Sequence, residues 1–217
     1  YAGHDIDAVI TTRELVKMIR SAHISPETLE DIESDRPMQE GTGAGVIFGA
    51  TGGVMEAALR TAYHIIKKEN PPADAFKMVR SPGFQENHGV MEAELAIDDI
   101  TVRIAVVSGL GNTRRLLEKI ESGEVKYDFV EVMACPGGCV GGGGQPIHDG
   151  EEWAFERGKN LYCLDQNAKL RFSHENPDII KLYEEYFGEP VSHKAHMLLH
   201  TDHLDAMARS GIGYETN

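Results

Sequence analysis

Apolar residues recur at helical spacing in several stretches of this chain and crowd into short runs in others, and the two rhythms divide it into helices and strands. A run over residues 5–11, with Ile6, Ala8, Val9 and Ile10, predicts a short strand. A helix over 13–22 follows, with Thr11 and Glu14 at the spacing of a capping box and Leu15, Val16 and Ile19 expected in the core. Ser25 before Pro26 opens another helical turn or two, with Leu29 and Ile32 as apolar positions, and the polar stretch 33–42 reads as a loop. A run over 43–53 rich in glycine leads into a helix over 54–68, where Met55, Ala58, Leu59, Ala62 and Ile66 share one face. Glycines ahead of a helix start let backbone amides converge on something negative.

Strands are predicted over 76–80, 91–97 and 102–107, the last two joined through Asp98-Asp99 as a hairpin. A helix over 113–120 and a strand over 128–133 come next. Beyond Gly150 the pattern gives a polar helix or loop to Lys159, a short apolar piece over 161–164, and a helix over 177–187 that Gly188 stops. A last helical segment over 193–208 is rich in histidine. The sum is an α/β fold with a mixed sheet flanked by helices, without internal repeats or long linkers.

Composition narrows the function. Asp plus Glu outnumber Lys plus Arg by 35 to 21, and the net charge of −14 argues against a nucleic-acid or anionic-membrane surface. No run of about 18 apolar residues suggests a transmembrane segment, and the first residues lack the basic and apolar regions of a signal peptide, so a soluble cytoplasmic protein is expected. Three cysteines fit a reducing compartment or cofactor ligation better than a disulfide framework, with Cys163 read as a buried structural thiol. A start at Tyr1 reads as a processed, split or truncated polypeptide.

The densest chemical signal is Glu-Val-Met-Ala-Cys-Pro-Gly-Gly-Cys-Val-Gly-Gly-Gly-Gly-Gln-Pro over 131–146. Cys135 and Cys139 supply soft anionic ligands just past the carboxyl end of a strand, where open α/β sheets bind ligands. The glycines let the backbone pass close to a bulky metal–sulfide core with N–H groups free to bond sulfur. Two cysteines cannot complete a zinc site or a cubane. Elsewhere, Val-Val-Ser-Gly-Leu-Gly-Asn-Thr-Arg over 106–114 imitates a dinucleotide fingerprint, but Arg114 stands where a third glycine should be, which favours a plain strand-to-helix turn. His193, His196, His200 and His203 recur at helical spacing without a carboxylate to complete a metalloprotease pattern. His148 reads as a surface residue or one placed behind the cluster ligands, and the pairs Glu151-Glu152 and Glu184-Glu185 as solvated faces.

Taken together, the 131–146 segment resembles the third signature motif of the iron-only (FeFe) hydrogenase catalytic domain. Residues 5–19, 47–60, the Ser-His-Glu-Asn at 173–176 and the segment 196–201 are similar to family counterparts in the same order. The resemblance implies that residues 1–201 form the C-terminal part of that domain, followed by a tail over 202–217. It implies reversible oxidation of H2 to protons and electrons at an H-cluster, a 4Fe-4S cubane bridged to a two-iron subsite with CO, CN and dithiolate ligands. By the same resemblance Cys135 would ligate the cubane, Cys139 would bridge it to the two-iron subsite, and Met133 would pack against that subsite. Phe48, Ala50, Thr51, Gly52 and Gly53 would line the pocket, while Pro136, Gly137 and Gly138 would shape the turn between the ligands. The family's first and second cysteine motifs are missing from this sequence, and Cys163 is not in a family ligand position. A partner chain carrying the remaining cubane cysteines is therefore expected, together with a ferredoxin or iron–sulfur electron-transfer subunit. The alternative is a non-catalytic, hydrogenase-like iron–sulfur assembly or interaction protein.

Overall fold

The computed structural model describes residues 6–33, 35, 38, 40–80 and 89–200. Helix α1 (Thr12–Ser21) begins at a complete capping box: the Thr11 hydroxyl accepts from the Glu14 amide, and the Glu14 carboxylate accepts from the Thr11 amide at 2.7 Å. A 3-10 turn, Pro26–Thr28, opens on its proline as expected. The glycine-rich run forms a single helical turn, α2 (Gly43–Val46), then a 3-10 turn (Ile47–Gly49), before α3 (Gly53–Lys67).

Strands β1 (Val90–Ile97) and β2 (Ile100–Ser108) pair antiparallel through a tight turn at Asp98-Asp99, with Asp98 at φ +52°. Helix α4 (Leu110–Glu121) then crosses over to β3 (Phe129–Met133), which pairs parallel with β2. The order β1-β2-β3 makes a mixed sheet with β2 at its centre, the α/β arrangement expected. Successive side chains of a strand point to opposite faces, so β2 must be buried twice. Ile104 and Val106 join Met55, Leu59, Phe76 and Val79 on the α3 side, whereas Ala105 and Val107 join Leu116 on the α4 side.

Helix α5 (Ala154–Asn167) is continuous, so the apolar piece at 161–164 is part of it rather than a separate element. Its Asp165 comes so close to Gly43 that no β-carbon fits there, which locks α2 against α5. Helix α6 (Pro177–Leu182) starts at Asn176, whose side chain accepts from the Asp178 amide at 2.9 Å, and widens into a π-turn over Tyr183–Phe187 that ends at Gly188 with φ +90°. Helix α7 (His193–Leu199) covers the start of the last expected helix; residues 201–208 of that expectation, His203 included, lie outside the described residues. Among the described residues no helix is long and apolar enough to cross a membrane.

Several expectations are corrected. Residues 6–11 form no strand: Ile6, Val9 and Ile10 are exposed and no described strand lies alongside to pair with them. The run at 76–80 is a 3-10 turn, Lys77–Val79, because Phe76 and Val79 are both drawn into the core, and a three-residue separation returns to one side in a turn but not in a strand. Helix α1 buries none of its residues; Leu15 and Val16 are exposed, since no described element packs on its apolar stripe. On α3 Ala58 is exposed, and Glu56 and Arg60 are buried among the apolar residues instead. Cys163 is exposed on α5.

Candidate metal centre

The two cysteines sit in a turn that only glycine can build. The Gly138 amide donates to the Cys135 carbonyl at 2.9 Å, and a 3-10 turn, Cys139–Gly141, carries the chain onward with the Gly142 amide on the Cys139 carbonyl at 3.0 Å. Gly137 and Gly138 stand at φ +81° and +95°, a region costly for any residue with a β-carbon. A β-carbon on Gly138 would also lie 2.7 Å from both the Gly49 oxygen and the Thr51 nitrogen. The turn is thereby seated on the 49–51 backbone, and the Thr51 amide donates to the Gly137 carbonyl at 3.1 Å. Two segments far apart in sequence meet at the cysteines.

Ala50, Thr51, Gly52, Gly53 and Gly138 are buried; Ala50 and Thr51 form the floor under the cysteine turn, whereas Gly52 and Gly53 pack against the backbone of Val79 and Ile47. Cys135 and Met133 are half-buried, while Cys139, Pro136 and Phe48 are exposed, Phe48 at 45%. The structure thus brings the 49–51 backbone and Gly138 together and leaves the Cys139 thiol and the Phe48 ring exposed. His148 is exposed and packs on Trp153 with ring centroids 4.6 Å apart. His196 and His200 sit as neighbours at 4.6 Å on and just beyond α7. Among the described residues no group of three or more His, Cys, Asp or Glu side chains could hold a metal ion. Among the described residues the turn thus offers two thiols, fewer donors than a self-contained zinc or cubane site requires.

Sequence reasoning missed the acidic residue that fixes the floor. Glu131, buried on β3, accepts from the amides of Gly52 and Met55, each at 2.6 Å, and so caps the start of α3 across the sheet. Burial pushes its carboxyl above the usual carboxylate range, against the opposing pull of the Gly52, Met55 and Val54 amides. Its position two residues before Met133 was visible in the sequence, but its partners lie 79 and 76 residues away.

A second unread feature is a buried layer of charge between α3 and α5. Arg60 donates to both Asp165 oxygens at 2.8 Å and to Glu56 at 2.6 Å. Arg80 clamps Glu56 at 2.7 and 2.8 Å and reaches Asp74, and Arg171 donates to Asp165 at 2.7 Å. Arg80 also lies over the ring of Tyr162, 4.3 Å from its centroid. Burial pushes the Tyr162 hydroxyl well above the usual phenol range. For Asp165 burial alone would raise the pKa, and the hydrogen bonds from Arg60 and Arg171 more than reverse it, holding the carboxyl below its ordinary range. The spacing of Glu56 and Arg60, four residues apart on one helix, was the available signal.

The turn that imitates a dinucleotide fingerprint is a strand-to-helix junction. Gly109 stands at φ +88° between β2 and α4, and its amide donates to the Met133 carbonyl at 2.7 Å.

Residues 1–143 match the family model of the iron only hydrogenase large subunit, C-terminal domain, and residues 152–205 match that of the iron hydrogenase small subunit. The NADP-reducing hydrogenase subunit HndD of Solidesulfovibrio fructosivorans is 47% identical over 92% of this chain and 33% of its own length. Iron hydrogenase 1 of Clostridium pasteurianum is 45% identical over 90% of this chain and 34% of its own. Cytosolic iron-sulfur assembly component 3 of Rattus norvegicus is 29% identical over 98% of this chain and 44% of its own. Among solved structures, a variant of the FeFe-hydrogenase HydA1 from Chlamydomonas reinhardtii superposes with a TM-score of 0.67 at 42% identity, covering 90% of this chain and 55% of that one. The chain spans about a third of the length of HndD and of iron hydrogenase 1.

Proposed function

Because the chain belongs to the iron-only hydrogenase family, in the C-terminal domain of the large subunit, we propose that Cys135 and Cys139 are two of the thiolate ligands of an H-cluster and that the chain is part of the catalytic domain of an FeFe hydrogenase. Residues 1–201 would be the domain portion and 202–217 a tail. The observation that carries this reading is the two-thiol turn seated on a buried backbone floor, Gly138 against Gly49 and Thr51. When bound, the cluster supplies the iron at which H2 and protons interconvert.

The chain's own share is to hold and to shape. Cys135 and Cys139 would ligate iron as thiolates, with Pro136, Gly137 and Gly138 setting the angle between them. Ala50, Thr51, Gly52 and Gly53 would bring backbone close to the cluster without side-chain bulk, with Glu131 keeping that stretch in place. Met133 and Phe48 would form an apolar wall that keeps water from the iron. The remaining cubane thiolates would come from polypeptide outside these 217 residues, which would cover the face where Cys139 and Phe48 are open. A ferredoxin or iron–sulfur electron-transfer subunit would receive or deliver the electrons, and a reducing compartment such as the cytoplasm would keep the three thiols reduced.

One observation favours a second reading, an iron–sulfur assembly or interaction protein without turnover: an assembly component covers nearly the whole chain in alignment. Infrared spectra of the purified complex separate the two, because iron-bound carbonyl and cyanide absorb where protein does not. Bands present in the parent protein and lost with Cys139→Ala support the hydrogenase; hydrogen turnover retained by that variant would refute the assignment, and absence of the bands in matured parent protein favours assembly.

A further inference from the structure

Ser108 is the last residue of β2 and is almost fully buried, at 4% exposure. A hydroxyl has one proton to donate and two lone pairs to accept with, and here all three are used. Its oxygen accepts from the Gly137 amide at 2.9 Å and from the Thr51 hydroxyl at 3.4 Å, and its proton points to the Cys135 carbonyl at 3.4 Å. The 2.9 Å bond is firm and the other two are long. Thr51 closes the circle from its own backbone, donating to the Gly137 carbonyl at 3.1 Å.

The neighbours of Ser108 point the same way. The Gly109 amide holds the Met133 carbonyl at 2.7 Å, and the Asn112 side chain holds the Ser108 carbonyl at 2.6 Å. The stretch that mimics a nucleotide fingerprint therefore directs its polar groups onto Met133, Cys135 and Gly137, the residues that carry and flank the first cysteine. We infer that Ser108 is a positioning residue that presets the turn carrying Cys135 for iron, an inference that rests on the ligand assignment proposed above. With Ser108 in place, the N–H of the Pro136-Gly137 peptide is held by the Ser108 hydroxyl and the carbonyl of the next peptide, that of Gly137, by the Thr51 amide, so the cysteine turn is formed before metal arrives. Without the hydroxyl, the Gly137 amide loses its one firm partner and that peptide is free to rotate.

The test uses Ser108→Ala, Ser108→Thr and Thr51→Val in the complex that carries the remaining cubane thiolates. Amide hydrogen exchange at Gly137 is read without iron, and the electron paramagnetic resonance spectrum and iron content are read after loading. Ser108→Ala is expected to speed exchange at Gly137 about tenfold, the scale of one lost hydrogen bond, to alter the cluster spectrum and to lower iron retention severalfold. Ser108→Thr, which keeps the hydroxyl, should restore all three, and Thr51→Val, which keeps the Gly137 bond, should show a smaller change in exchange. Exchange and spectrum of Ser108→Ala indistinguishable from the parent overturn the inference. Should that variant not accumulate, Thr51→Val decides: unchanged exchange and spectrum there overturn it equally. Parent protein that takes up no iron would count against the ligand assignment instead, while the exchange measurement judges the clasp by itself.

Discussion

Replacing Asp165 by Asn tests whether the buried charge layer is what joins α3 to α5. Asp165 is fully buried and receives three N–H groups, two from Arg60 and one from Arg171. Each such bond to an ionised partner contributes about 1.5–3 kcal/mol, and an amide presents one oxygen to those donors and turns an N–H toward another. Glu56 still neutralises Arg60, so the loss should fall at the lower end of the roughly 3–5 kcal/mol seen when one member of a buried pair is removed. A destabilisation of about 3 kcal/mol corresponds to a fall in Tm of roughly 6–12 °C for a chain of this length. Urea titration and calorimetry at neutral pH measure it, with Glu156→Gln as the control, since its pair with Lys159 is half in water and should contribute at most about 1 kcal/mol. Because the folded carboxyl titrates below its ordinary value, its contribution is present above the unfolded pKa of about 3.9 and is lost as pH falls through the folded one. The difference between parent and variant should shrink in acid accordingly. A change no larger than that of the control, or a difference that grows on acidification, refutes the reasoning.

Gly138→Ala should destabilise by about 3 kcal/mol or more, because its β-carbon meets backbone at 2.7 Å and its φ is +95°; a melting temperature within about 2 °C of the parent would contradict the seating of the turn. Tyr162→Phe should be neutral or stabilising by about 1 kcal/mol, since the buried hydroxyl has no partner among the described residues and the ring under Arg80 is kept. Chemical denaturation showing a loss above about 1 kcal/mol would mean the hydroxyl is bonded in solution. Glu131→Gln should remove a pH dependence. The folded carboxyl is raised by burial, so its contribution is full below the unfolded pKa of about 4.3 and is lost as pH rises through the folded value. The stability of the parent relative to the variant should therefore fall as pH rises from about 4 toward neutrality, and a constant difference would show that Glu131 does not titrate there.

What the sequence determined is what neighbours in the chain can decide. Thr11 and Glu14 meet because three residues of helix bring them together, Asp98 turns the hairpin with the backbone conformation it tolerates, and two cysteines four residues apart among glycines share one turn. The helical face of Met55 and Leu59 was legible for the same reason. Only the tertiary structure decided which surfaces meet. Periodicity shows that α1 has an apolar stripe but not what covers it, and so Leu15 and Val16 were expected inside and lie outside. Phe76 and Val79 could alternate or turn, and the space beneath α3 chose the turn. Glu131 finds the amides of α3 from 79 residues away, and Arg60 finds Asp165 from 105. A hydrogen bond requires its partners within about 3 Å, and that proximity is set by the packing of whole elements, which no local pattern encodes.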